Sequence, residues 1–118
     1  MMPDPKMKYS KKNNVAIIAF GSSHGATKEA IINLKKNGIG VNYCQIKAFP
    51  FQSSIKKFID KHKRVYIVEQ NRDAQMRSLI MLDLEVDADK LLSILHYNGN
   101  PIYANVISDE LMKSEKKF

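Results

Sequence analysis

Short apolar runs alternate with amphipathic stretches along the chain. Val15-Ala16-Ile17-Ile18-Ala19-Phe20 is unbroken in apolar residues, the pattern of a strand covered on both faces, and Asn14 to Phe20 reads as the first strand. Thr27 to Asn37 has helical spacing, with Ala30, Ile31 and Leu34 on one stripe and Lys28, Glu29, Lys35 and Lys36 outward; Gly38 is placed to end it as a left-handed cap. Ile39 to Ile46 reads as a second strand that alternates more clearly, so it is expected to be less deeply buried. Phe49-Pro50-Phe51 interrupts the pattern. Ser53 or Ser54 then caps a helix that turns Ile55, Phe58 and Ile59 inward and places Lys61, His62 and Lys63 at the negative end of its dipole. Arg64 to Glu69 reads as a third strand, and Asp73 can cap a helix with Met76, Leu79 and Ile80 facing in, Met76 and Met81 serving as core filler.

After an acidic connector, Asp83 to Asp89, the stretch Lys90 to Tyr97 fits strand or helix. It is assigned as a fourth strand because the turn Asn98-Gly99-Asn100-Pro101 stops it at once and the βαβ series needs another strand. A final helix is expected over Asn105 to Lys113, with Ser114 to Phe118 frayed. Residues 1–13, with two prolines and four lysines, read as a linker or disordered tail that joins this unit to something N-terminal. The expected architecture is thus one three-layer α/β/α domain over residues 14–118, with a mainly parallel sheet of four or five strands.

Length and composition agree: 118 residues, 44% hydrophobic and 26% charged, suffice for one core and not for two domains. The net charge is +7, and it is segregated. Residues 1–64 hold 13 Lys and Arg against 3 Asp and Glu, while residues 65–118 hold 6 against 9. Such a basic half suits a solvated face, an acidic partner or phosphate groups; no basic run interleaved with aromatics argues for nucleic acid. The single cysteine, Cys44, excludes an internal disulfide or a multi-cysteine cluster supplied by this chain and is expected to be buried and inert. His62 and His96 are too scattered for a metal site. No membrane-length apolar stretch or signal-peptide core is present, so the reading is cytoplasmic with no membrane partner.

Two polar segments hold the candidate chemistry. Gly21-Ser22-Ser23-His24-Gly25-Ala26-Thr27 joins the first strand directly to a helix, which places backbone N–H groups at the carboxyl edge of a parallel sheet. It lacks the spacing of a dinucleotide fingerprint or P-loop, and a tight strand-to-helix connection that needs small residues is preferred over an anion or partner site. Glu69-Gln70-Asn71, with Gln75 beyond, lies where the third strand leaves the sheet, so the two segments are expected to line one crevice. There Glu69 could act as a base, bind a cofactor nitrogen, or cap backbone donors; no second acid supports chemistry, and capping is preferred. His24 lacks a nucleophile at useful spacing and is not assigned as catalytic. Gly21, Ser22, Ser23, His24, Glu69, Gln70, Asn71 and Gln75 form the candidate crevice or interface.

In order, Val15 to Ser22, Phe49-Pro50-Phe51, Val65 to Asn71 with Gln75, and Tyr97 to Pro101 resemble the C-terminal, transketolase C-terminal-like domain of the α subunit of 2-oxoacid:ferredoxin oxidoreductases, over about residues 14–112. Gly21, Ser22, Pro50, Glu69, Asn71, Gln75, Gly99 and Pro101 match the family pattern. Ala74 stands where a glycine is usual, and Asn98 and Asn100 replace an expected aspartate and arginine. The resemblance implies an enzyme that oxidatively decarboxylates a 2-oxoacid on thiamine diphosphate and Mg²⁺, passes electrons through iron–sulfur clusters to ferredoxin, and releases acyl-coenzyme A. It implies that this domain alone binds none of those cofactors and is inactive, packing instead against the pyrimidine-binding N-terminal domain and the β subunit. The alternative is a free-standing binding module for a phosphate-bearing ligand or an acidic protein.

Overall fold

The computed structural model describes residues 6–8, 10–20, 24–46, 53–69, 75–95 and 104–117. Its elements are β1 (Lys6–Lys8), β2 (Val15–Phe20), α1 (His24–Lys36), β3 (Val41–Ile46), α2 (Ser53–Asp60), β4 (Arg64–Glu69), α3 (Gln75–Leu84), a 3-10 turn (Ala88–Lys90), β5 (Leu91–Leu95) and α4 (Ala104–Glu115). The sheet order is β1-β3-β2-β4-β5. Four strands are parallel, and β1 runs antiparallel to β3 on the edge. The expected three-layer α/β/α architecture is the one observed.

Right-handed crossovers explain which helix lies where. From β2 the chain steps outward to β3, which puts α1 on one face; from β3 it crosses back over β2 to β4 and on to β5, which puts α2 and α3 on the other. Each strand divides its side chains accordingly. Ala16 and Ile18 of β2, Cys44 and Ile46 of β3, and Val65 and Ile67 of β4 join Ile55, Phe58 and Ile59 of α2 and Ile80 and Leu84 of α3. Val15, Ile17, Ala19, Val41, Tyr43, Tyr66 and Val68 join Ala30 and Leu34 of α1 and Ile107 and Leu111 of α4. Burial of each large side chain contributes ~1.5–3 kcal/mol, and two covered faces explain why β2 is apolar at every position.

Helix α1 ends as its sequence suggests. Gly38 sits at φ 82°, Ile39 N–H donates to the Leu34 carbonyl at 2.8 Å, and Gly38 N–H donates to Lys35 at 3.1 Å. This is the paired arrangement that closes a helix on a left-handed residue. Helix α3 ends similarly with Glu85 at φ 55°, a position where a side chain is strained.

Several expectations are corrected. Residues 6–8 of the expected linker form β1, and residues 10–13 are bonded to the sheet through Asn42. Strand β3 is buried along nearly its whole length despite its alternation, because helices cover both faces and the polar Asn42 has partners inside. Leu79 faces outward at 39% exposure, since the buried stripe of α3 runs through Ile80 and Leu84. The acidic connector is partly structured: Asp83 and Leu84 belong to α3, and Val86 is buried. Ser114 and Glu115 close α4 instead of fraying, fixed by Tyr66 and Arg64. The Phe49-Pro50-Phe51 break, the Asp73 cap and the Asn98 to Pro101 turn lie outside the described residues.

Candidate functional site at the carboxyl edge of the sheet

Strands β2 and β4 are neighbours in parallel register, with Ala19 opposite Val68. Their continuations leave in opposite directions, towards β3 by way of α1 and towards β5 by way of α3. In doubly wound sheets this reversal opens a crevice at the carboxyl ends of the two strands. Phe20 and Glu69 end the strands there, while His24 and Gln75 begin the helices that follow. Both predicted segments therefore reach one edge of the sheet. Gly21, Ser22, Ser23, Gln70 and Asn71, and the side chain of Gln75, lie outside the described residues.

The two described side chains do not converge. Glu69 is 3% exposed and turns towards α3, where its Oε1 accepts from Met76 N–H at 3.2 Å and its Oε2 from Arg77 N–H at 3.3 Å. The first turn of α3 contains no acid of its own, so a carboxylate from the preceding strand satisfies amides that have no partner inside the helix. Arg77 extends the lock: its Nε donates to the Leu91 carbonyl and its Nη2 to that of Ala88, each at 2.9 Å. Both Glu69 oxygens are engaged in holding the helix.

His24 is on the opposite face. Its ring stacks on Tyr43 with centroids 5.6 Å apart and planes 16° from parallel, and Nδ1 lies 2.6 Å from the Tyr43 hydroxyl. Tyr43 packs within the α1/α4 core, where burial, with Cys44 adding a smaller effect, raises its pKa above the usual tyrosine value. Cys44 is fully buried, and burial pushes its thiol up to about 12, which removes it as a nucleophile at neutral pH.

Two polar centres were not read as such from the sequence, and both lie at the opposite, amino edge. Asn42 Oδ1 accepts from Ser10 N–H at 2.8 Å and from Asn13 Nδ2 at 2.9 Å. Its Nδ2 donates to the Ser10 carbonyl at 3.0 Å and approaches His62 Nε2 at 2.7 Å. His62 Nδ1 lies 2.6 Å from the Phe58 carbonyl, which can only accept; the proton is therefore on Nδ1, and Nε2 receives from Asn42. Burial lowers the pKa of His62, and Lys90 and Lys61 reinforce this against the opposing Phe58 bond. His62 thus serves the end of α2 as a neutral N–H donor, not as the expected cation. The available signal was a strand asparagine and a histidine at a helix end, each of which reads as surface in isolation.

The second centre joins β4 to α4. Arg64 Nε and Nη2 each donate to a different oxygen of Glu115 at 2.7 Å, and the Tyr66 hydroxyl donates to Glu115 Oε2 at 2.6 Å with Ser114 Oγ 2.9 Å away. Burial alone would raise the Glu115 pKa, but the bonds from Arg64 and Tyr66 outweigh it and lower it. Tyr66 is pushed up to about 12, by burial first and the neighbouring carboxylate second.

An open, doubly wound α/β domain with a topological switch point between β2 and β4 is the class defined by these observations. The protein-family comparison is more specific: residues 13–105 match the model of pyruvate:ferredoxin oxidoreductase core domain II, and the chain belongs to that family. Over 93 residues it is 28% identical to 2-oxoacid:ferredoxin oxidoreductase 2, subunit alpha, of Aeropyrum pernix, covering 77% of this chain and 14% of that one. A 2-oxoglutarate:ferredoxin oxidoreductase from Magnetococcus marinus, solved with 2-oxoglutarate, coenzyme A and succinyl-CoA bound, superposes with a TM-score of 0.83 at 21% identity, over 95% of this chain and 20% of that one. The alpha chain of a probable 2-oxoacid ferredoxin oxidoreductase from Thermoplasma acidophilum is 30% identical, with a TM-score of 0.56 over 96% of this chain and 94% of that one. The chain thus corresponds to a domain of an oxidoreductase α subunit, and it spans about a seventh of the curated relative's length.

Proposed function

We propose that this chain is the packing domain, not the catalytic centre, of a 2-oxoacid:ferredoxin oxidoreductase. In the complete enzyme a 2-oxoacid would be oxidatively decarboxylated on thiamine diphosphate with Mg²⁺, electrons would pass through iron–sulfur clusters to ferredoxin, and acyl-coenzyme A would be released. The reading rests above all on the family match across residues 13–105. Among the described residues no group of three or more His, Cys, Asp or Glu could hold a metal ion, and the one cysteine is buried, which supports leaving the Mg²⁺ and iron–sulfur ligands to the other parts of the enzyme. No step of the reaction is therefore assigned to the described residues.

The work left to the chain is structural. Glu69 fixes the start of α3, His24 and Tyr43 fix the start of α1, and the carboxyl ends of β2 and β4 flank the switch point, where a neighbouring domain can be received. The proposed neighbours are the pyrimidine-binding N-terminal domain of the α subunit and the β subunit. The proposed setting is the cytoplasm; no helix among the described residues is long and apolar enough to cross a membrane. Mixing the purified chain with those two partners tests the assignment. Restored oxoacid-dependent ferredoxin reduction is expected, and failure of the three to associate would overturn it.

A further inference from the structure

An open cleft of about 430 Å³ lies at the amino edge, between the segment preceding β2 and the C-terminal half of α1. Ser10, Lys12 and Asn13 form one wall, Ile31 and Lys35 the other, and Val41 contributes to the lining. The first wall is fixed from within: Asn42, 2% exposed, holds both the backbone of Ser10 and the side chain of Asn13. Gly40 completes the lining, and a Cβ there would collide with the Asn13 side-chain oxygen, so the close approach depends on glycine.

The chemistry of the lining is mixed. Lys12 and Lys35 are exposed on opposite walls, and the ion pairs among the described residues, Lys56–Asp60 and Arg64–Glu115, use neither. Lys28 lies on the stripe of Ile31 and Lys35, and Lys36 extends the basic surface, with Glu29 the acid on the same helix. Among them Ile32 is 56% exposed. Any anion here must rely on the lysines, because the C-terminal end of α1 presents the negative end of its dipole, and a bare phosphate would leave Ile31 and the exposed Ile32 without a partner. An extended segment with both carboxylates and apolar side chains satisfies the lysines, Ile31 and Ile32 together.

We propose that this cleft docks an acidic, partly apolar peptide segment of a partner protein. The site is independent of the carboxyl-edge crevice and of the enzyme assignment made there. The fit is one of charge complementarity: the first 64 residues contain 13 Lys and Arg against 3 Asp and Glu.

The test is a nuclear magnetic resonance titration of the 118-residue chain with a short peptide of glutamates interspersed with leucines. Its lysine counterpart, inorganic phosphate, anionic lipid vesicles and an oligonucleotide are run alongside. Amide shifts are expected at Ser10 to Asn13, Ile31, Lys35 and Gly40 with the acidic peptide. Its affinity is expected to fall about tenfold in the double variant Lys12→Glu, Lys35→Glu and to hold in Lys57→Glu, Lys61→Glu, which makes the same change in net charge around the last turn of α2, on the other face of the sheet. Ile32→Ser should weaken the acidic peptide and leave phosphate unaffected, with thermal melts confirming that each variant is folded. Equal losses in the two double variants, shifts gathered at the carboxyl edge, or tighter binding of vesicles or oligonucleotide than of the peptide would each overturn the proposal.

Discussion

The two edges of the sheet use polar side chains for different ends. At the carboxyl edge Glu69 and His24 each secure the start of a helix. At the amino edge Asn42 with His62, and Arg64 with Glu115, fasten segments far apart in sequence: residues 10–13 to β3, and the last turn of α4 to β4. The first arrangement fixes single helix starts, whereas the second ties segments distant in sequence into one unit. The proposed docking of neighbouring domains at the switch point is served by long-range fastenings at the other side.

Breaking the amino-edge fastenings should therefore cost more than breaking the carboxyl-edge caps. The largest effect is expected from Asn42→Ala, which strands His62 and frees residues 10–13; urea unfolding should show a loss of ~3 kcal/mol. A loss comparable to that of an exposed asparagine would remove the distinction between the edges. Glu115→Ala should follow at ~2 kcal/mol, since Arg64 keeps a charge in a half-covered site. Its pH dependence has a definite sign. The folded Glu115 pKa is depressed, so its stabilisation is full above the unfolded value of about 4.3 and is lost as pH falls through the lower folded value. The gap between wild type and Glu115→Ala should close in that acid range.

At the carboxyl edge, Glu69→Gln should cost ~1 kcal/mol, because an amide offers one oxygen to two helix amides. Hydrogen exchange should quicken in the first turn of α3 while residues 10–13 keep their protection. The smallest expected effect is a slope. Unfolded His62 binds a proton near pH ~6.5 while the folded ring resists it, so stability should decline as pH falls from there to the lower folded value. His62→Leu, although less stable, should lose that part of the slope in pH-dependent unfolding curves. Retention of the slope would assign it to another group.

How much of this was legible depends on whether one segment carried its own signal. The apolar run of β2, the strand Arg64 to Glu69 and the Gly38 cap are local patterns, and each was readable. Strand β5 was locally ambiguous and was resolved by the turn after it. Strand β1 has three residues, two of them lysines, and exists through pairing with β3, which no local pattern reveals. Asn42 looked like the wet face of an alternating strand because its partners lie 29 and 32 residues earlier and 20 residues later. At the candidate site, the segments and their shared edge were legible from parallel topology. The opposite facing of Glu69 and His24 was not, since it depends on which helix each side chain meets.

The Asn42 side chain uses both hydrogens and both acceptor positions of its amide; Asp lacks the donors, Leu lacks the polarity, and Gln is one methylene too long to place the same amide there. Evolution can therefore change this position only in company. Across relatives, exchanges at 42 should travel with exchanges at 13 and 62, leaving a covariation signal at the edge of the sheet opposite the switch point.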